Sequence, residues 1–156
     1  MPSSSNAAAP PDCPFCGIAA QPNLAVPLYE DPDLVAFLDR GAIRPGHTQI
    51  ITRQHVPTFD MLPPRLLNKL TGLGQQLARR MKEVYHVDRV AFLFTGGDVA
   101  HVHAHVVPMH AKTDITSARY IIAPEHLTWG SDHLLQSRED LLSVRALLDF
   151  VPVGLP

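Results

Sequence analysis

The chain has 156 residues, 46% of them hydrophobic and 18% charged, which is enough for one domain with a sizeable core and too little for two. Thirteen Lys and Arg against fifteen Asp and Glu leave a formal charge of −2, so no field exists to hold a nucleic-acid polymer by counterion release. Fifteen prolines argue against an all-helical bundle, and no apolar run approaches the ~18 residues of a membrane span.

Residues 1–12 are mainly Ser, Ala, Asn and Pro, with nothing to bury, and are expected to form a disordered tail. They carry neither the basic nor the apolar region of a signal peptide, so a cytoplasmic protein without a membrane partner is expected. Two cysteines, Cys13 and Cys16, are too few for a disulfide scaffold; such a close pair in a reducing compartment points to a metal or a redox role.

The stretches Val26–Glu30 and Leu34–Leu38 flank the turn tripeptide Asp31-Pro32-Asp33 and predict a β-hairpin. A third strand over His47–Thr52 follows the turn pair Pro45-Gly46. Pro63-Pro64 opens a helix in which Leu66, Leu70, Leu73, Leu77, Met81 and Val84 recur at three- and four-residue steps, weakened slightly by Gly72 and Gly74. Val90–Phe94 and Val99–Val107 predict two more strands, and Ser137 starts a second amphipathic helix ending near Phe150.

The unusual count is nine histidines. In His101-Val102-His103-Ala104-His105 a strand would put three imidazoles on one face and apolar side chains on the other. Rings buried this way need hydrogen-bond partners, so the pattern points to function rather than stability. Residues two apart on a strand lie ~6.7 Å apart, so three cannot easily converge on one ion, although two can. The other chemistry open to such a strand is attack of a neutral imidazole on phosphorus, with neighbouring histidines handling charge and protons.

At these residues the chain resembles the histidine triad family, whose motif is His-x-His-x-His followed by two apolar residues, met here by His101 to Val107. The resemblance extends over Tyr29-Glu30-Asp31, Leu34 to Asp39, and Arg44 to Ile51 with His55 after it. It implies an α+β fold with a mostly antiparallel five-stranded sheet, one long central helix and a C-terminal helix. The domain would span residues 13–112, with 113–156 as an extension packed on it. It further implies His103 as nucleophile, His105 at the phosphate and leaving group, and His47 in support. Asp39 would hold ribose hydroxyls, and Phe15, Ile18 and Phe37 would form the slot for the base. By resemblance to the zinc-containing branch, Cys13, Cys16, His55 and His101 would bind a structural zinc ion.

One departure stands out. Asp98 occupies a short loop where many relatives carry a neutral hydrogen-bonding group, and a carboxylate beside a phosphate repels it unless protonated or paired. The implied activity is a nucleotide hydrolase or nucleotidyl transferase acting on a purine nucleotide conjugate, in a homodimer. The alternatives are a zinc-dependent hydrolase using the histidine strand as its metal site, and a nucleotide-binding module with weak turnover.

Overall fold

A computed structural model describes residues 10, 12–115, 121–123, 128–129 and 132–155. The expected tail falls almost wholly outside these residues. The elements in chain order are α1 Pro14–Ala20, β1 Pro27–Glu30, β2 Leu34–Leu38, β3 Thr48–Thr52, α2 Pro64–Tyr85, β4 Arg89–Phe94, β5 His103–Met109, β6 Ile121–Ala123, β7 Thr128–Trp129 and α3 Arg138–Leu148. Strands β1 to β5 form one antiparallel sheet in the order β1-β2-β3-β5-β4, the expected fold class. The short β6–β7 pair stands apart from it.

Period-two alternation divides the sheet into two faces. Leu34, Ala36 and Leu38 of β2, Ile50 of β3, and Ala104 and Val106 of β5 form one core with Leu66, Leu70, Leu73, Leu77 and Met81 of α2 and Leu141 and Leu148 of α3. Val35, Phe37 and Ile51 face the other way, under Ala19, Phe15 and Ile18 of α1. The cross-strand partners Ile51↔His103 and Gln49↔His105 lie on this second face.

Helix α1 was not expected, because seven residues cannot show a helical period; Pro14 at its start supplies a preset φ and lacks only an N–H that would be unpaired there. Helix α2 keeps its expected apolar stripe and ends at His86 in the left-handed conformation, φ 51°. A Cβ at Gly74 would lie 2.3 Å from the Phe92 ring, so glycine lets α2 approach β4. Lys69 is buried and pairs with Asp31 at 2.9 Å and Asp33 at 2.7 Å. Arg65 adds a two-pronged bond to Asp33 at 2.8 Å, and together these cations hold the Asp33 carboxyl well below the usual range.

Ser137 caps α3 in a reciprocal box with Asp140. The start of this helix is strapped across the domain: Gln136 N–H donates to Arg40 O at 2.8 Å, and the Arg138 guanidinium donates to Asn23 O at 3.3 Å and Ala25 O at 3.0 Å. Beyond it, the Gln76 amide exchanges hydrogen bonds of 2.9 and 2.7 Å with the backbone of Val153.

One expectation is corrected. The strand predicted over Val99–Val107 runs over His103–Met109 instead. Local bonding holds the chain outside the ladder before it: His101 N–H donates to Val99 O at 2.8 Å, and Val102 N–H donates to Val56 O at 2.7 Å. His101 therefore precedes the strand, but the expected alternation holds: Val102 joins Ala104 and Val106 in the core, while the His101 and His103 rings both pack against Phe15.

Candidate functional site

Two clusters adjoin on the second face of the sheet. In the first, Cys13 and Cys16 bracket the start of α1, His55 follows β3, and His101 precedes β5. The donor atoms of these four residues all lie within 4.8 Å of one another. His101 Nδ1 is 3.5 Å from each sulfur and 3.3 Å from His55 Nδ1, and Cys16 Sγ is 3.3 Å from His55 Nδ1. A tetrahedral ion with bonds of ~2.0–2.3 Å separates neighbouring N and S donors by ~3.3–3.8 Å, so the set fits zinc.

The tautomer agrees with this fit. His101 Nε2–H donates to Thr52 O at 2.8 Å, which leaves its Nδ1 lone pair turned toward the sulfurs. Burial and the neighbouring Cys13 push the Cys16 thiol up to about 11. A divalent ion would instead remove that proton.

The second cluster is a chain of hydrogen bonds. The segment entering β3 is pinned when Asp39 N–H donates to His47 O at 2.8 Å and Arg44 pairs with buried Asp114 at 2.8 Å. Gly46, at φ 91° and against the Tyr85 ring, makes the turn that delivers His47. Ile43 N–H donates to His47 Nδ1 at 3.2 Å, so neutral His47 carries its proton on Nε2. That Nε2 lies 2.9 Å from His105 Nδ1, which must therefore accept, and His105 Nε2–H reaches Thr95 Oγ1 at 3.2 Å. Asp39 Oδ2, His47 Nε2 and His105 Nδ1 are close enough to hold a metal, but a protonated Nε2 has no lone pair to give.

Burial pushes the His47 imidazole below its usual range, against the opposing pull of Asp39. Burial, His47 and His103 together push His105 down to about 4. Both rings therefore stay neutral at neutral pH, as the hydrogen-bond chain requires.

His103 lies between the clusters. Its Nδ1–H donates to His101 O at 2.7 Å, leaving Nε2 as a lone pair, and Phe15 packs on the ring with centroids 4.9 Å apart. Phe37, 6.0 Å from Phe15, is buried, and Ile18 is half-buried beside it. Asp39 is fixed by Gly41 N–H on Oδ1 at 2.8 Å and by Gln49 Nε2 on Oδ2 at 2.7 Å. Asp98 is exposed on the bend between β4 and β5. Sequence reasoning missed Gln49, Thr95 and the Arg44–Asp114 pair; a polar residue inside the apolar stretch Thr48–Ile51 was the one signal available for Gln49.

The comparisons bear on this geometry. The family described as the HIT domain matches residues 22–112. An uncharacterized HIT-like protein of Mycobacterium tuberculosis is 32% identical over 101 residues, covering 62% of this chain and 70% of that protein. The adenylylsulfatase HINT3 of Arabidopsis thaliana is 28% identical over 102 residues, 62% of this chain and 52% of that protein. A crystal structure of a Zn-bound histidine triad family protein from Mycobacterium smegmatis superposes with TM-score 0.62 at 26% identity, covering 88% of this chain and 93% of that one. A Hit-like protein from Bartonella henselae shares the fold at TM-score 0.71 and 19% identity, over 88% of this chain and 94% of that one. With more than half of its length matched and its triad and five-stranded sheet in register with that match, the chain belongs to the HIT domain family.

Proposed function

We propose that this protein is a nucleotide hydrolase or nucleotidyl transferase that attacks the α-phosphate of a purine nucleotide conjugate, a phosphoramidate or a dinucleoside polyphosphate, through a covalent nucleotidyl-His103. Family membership supports nucleotide-related hydrolase or transferase chemistry in general. The observation that carries the finer reading is the 2.7 Å bond from His103 Nδ1–H to His101 O, which fixes the ring with its Nε2 lone pair free.

In the first step Nε2 bonds to the α-phosphorus as the bond to the leaving group breaks. The bonding pair departs on the leaving oxygen or nitrogen, which accepts a hydrogen bond from His105 Nε2–H; a departing amine takes its proton from water. The positive charge arriving on the His103 ring is met by the carbonyl of His101. Water then attacks the same phosphorus and loses a proton to solvent, the P–N pair returns to Nε2, and a nucleoside monophosphate leaves.

Asp39 binds the ribose hydroxyls, and Phe15, Ile18 and Phe37 line the slot for the base. Asp98, exposed on the bend after β4, is proposed to face the leaving group, where it would favour one that donates hydrogen bonds over a polyphosphate. Cys13, Cys16, His55 and His101 hold a zinc ion whose four ligands close its shell, so it supplies structure. Two thiols kept as ligands fit a cytoplasmic location. Among the described residues no helix is long and apolar enough to cross a membrane. The catalytic unit is residues 13–112, with 113–156 as an extension.

A phosphorus-chiral substrate is expected to give overall retention, since two in-line displacements each invert. His103→Ala should abolish turnover while still binding ligand, because base and ribose contacts lie elsewhere. Inverted product, or near-normal turnover of His103→Ala, overturns the covalent route. A homodimer is proposed through edge strand β4 with half-exposed Phe92; light scattering is expected to give about twice the chain mass, and a monomer mass at micromolar concentration would refute it.

A further inference from the structure

His47 has a single N–H, on Nε2, and two acceptors compete for it. His105 Nδ1 stands at 2.9 Å and the Asp39 carboxylate oxygen Oδ2 at 3.6 Å. An ionised carboxylate is the stronger acceptor, so an unencumbered Asp39 would win. It does not win in this structure, where Gln49 and Gly41 hold the carboxylate at the longer distance. Gln49 Nε2 donates to that same Oδ2 at 2.7 Å, while Gly41 N–H takes Oδ1 at 2.8 Å.

The side chain bearing this amide is not one that packing would select. Gln49 sits on a central strand between Phe37 and His105, and its buried Oε1 has no partner among the described residues. An orphaned buried acceptor is a stability cost that an aliphatic residue would avoid. The amide orientation is also determined, because turning Oε1 toward the carboxylate would set two acceptors against each other.

We propose that Gln49 is a positioning residue that holds the Asp39 carboxylate 3.6 Å from His47 Nε2, with lone pairs left for ribose, so that the His47 proton goes to His105 and fixes His105 with its own proton on Nε2. Without Gln49, Asp39 captures the His47 N–H, His105 Nδ1 loses its donor, and the His105 ring populates both neutral tautomers. The N–H that faces Thr95 and the departing atom is then present only part of the time. The use of that N–H in turnover rests on the function proposed above; the tautomer itself does not.

The test is nitrogen NMR of the imidazoles in the full-length, zinc-loaded protein at mildly alkaline pH. In the parent, a coupling across the hydrogen bond between His47 Nε2 and His105 Nδ1 is expected, with His105 protonated on Nε2. Gln49→Met, similar in size but without the amide, should convert His105 to a tautomer mixture, and adding Asp39→Asn should restore it because the competing carboxylate is gone. An unchanged His105 tautomer in Gln49→Met, no restoration in the double variant, or no coupling in the parent each overturns the proposal; the last applies even if the variants do not fold. For turnover, Gln49→Met should lower kcat for poor leaving groups about tenfold with little change in KM, as expected from part of a general acid–base effect. A tautomer that responds as expected in a protein without nucleotidyl turnover would count against the reaction and leave the role of Gln49 standing.

Discussion

The two histidine clusters use one side chain for opposite purposes, and the contrast lies in what each ring's second nitrogen touches. At the Cys13, Cys16, His55 and His101 corner, a backbone carbonyl from Thr52 takes the His101 Nε2 proton, so the lone pair points inward toward other electron-rich atoms. At the Asp39, His47 and His105 corner, a backbone N–H from Ile43 takes the His47 Nδ1 lone pair, so a proton points inward and begins a chain of donors. Backbone polarity at a single contact thus separates a cation site from a proton-ordering site. The consequence is that the first corner turns lone pairs inward, as a cation site would, while the second is complete in neutral form.

Metal removal should break this comparison most sharply. Chelation of zinc-loaded protein, or Cys16→Ser, is expected to lower stability by about 3 kcal/mol or more, because two sulfurs and two imidazoles would be left facing one another without the ion. Urea unfolding with and without chelator measures it. Equal midpoints, with both thiols freely titrating, would remove zinc from the account.

A smaller effect comes from acid. The folded His105 titrates near 4 against an ordinary 6.5, and His47 is shifted in the same direction, so the unfolded chain binds more protons between those values. Stability is therefore full above about pH 6.5 and declines as pH falls toward 4. The parent should lose more stability between pH 7 and 4.5 than a His105→Asn variant does, with zinc held in excess for both. Equal losses would detach the titration from this ring.

Much of the fold was legible because it rests on period. The α2 stripe and the β1–β2 hairpin follow from spacing and a turn tripeptide, and both occur close to their expected bounds. The triad was legible because imidazoles alternating with apolar residues serve no packing purpose. What could not be read was His101 leaving the strand, since that depends on Val56 and Thr52, residues 46 and 49 positions away. Helix α1 was too short to show a pattern. Gln49 looked like an ordinary strand residue, and only the cross-strand register that sets it beside His105 gives the amide a role.

The strap formed by Arg138 has a consequence for the order in which the chain is built. Its donors reach carbonyls of Asn23 and Ala25, made 115 and 113 residues earlier. The β1–β2 hairpin and α2 draw on near neighbours and can form while synthesis continues, but those two carbonyls must wait for α3. Until then the segment between α1 and β1 lacks these partners, so the docking of α3 onto α2 is among the last long-range closures.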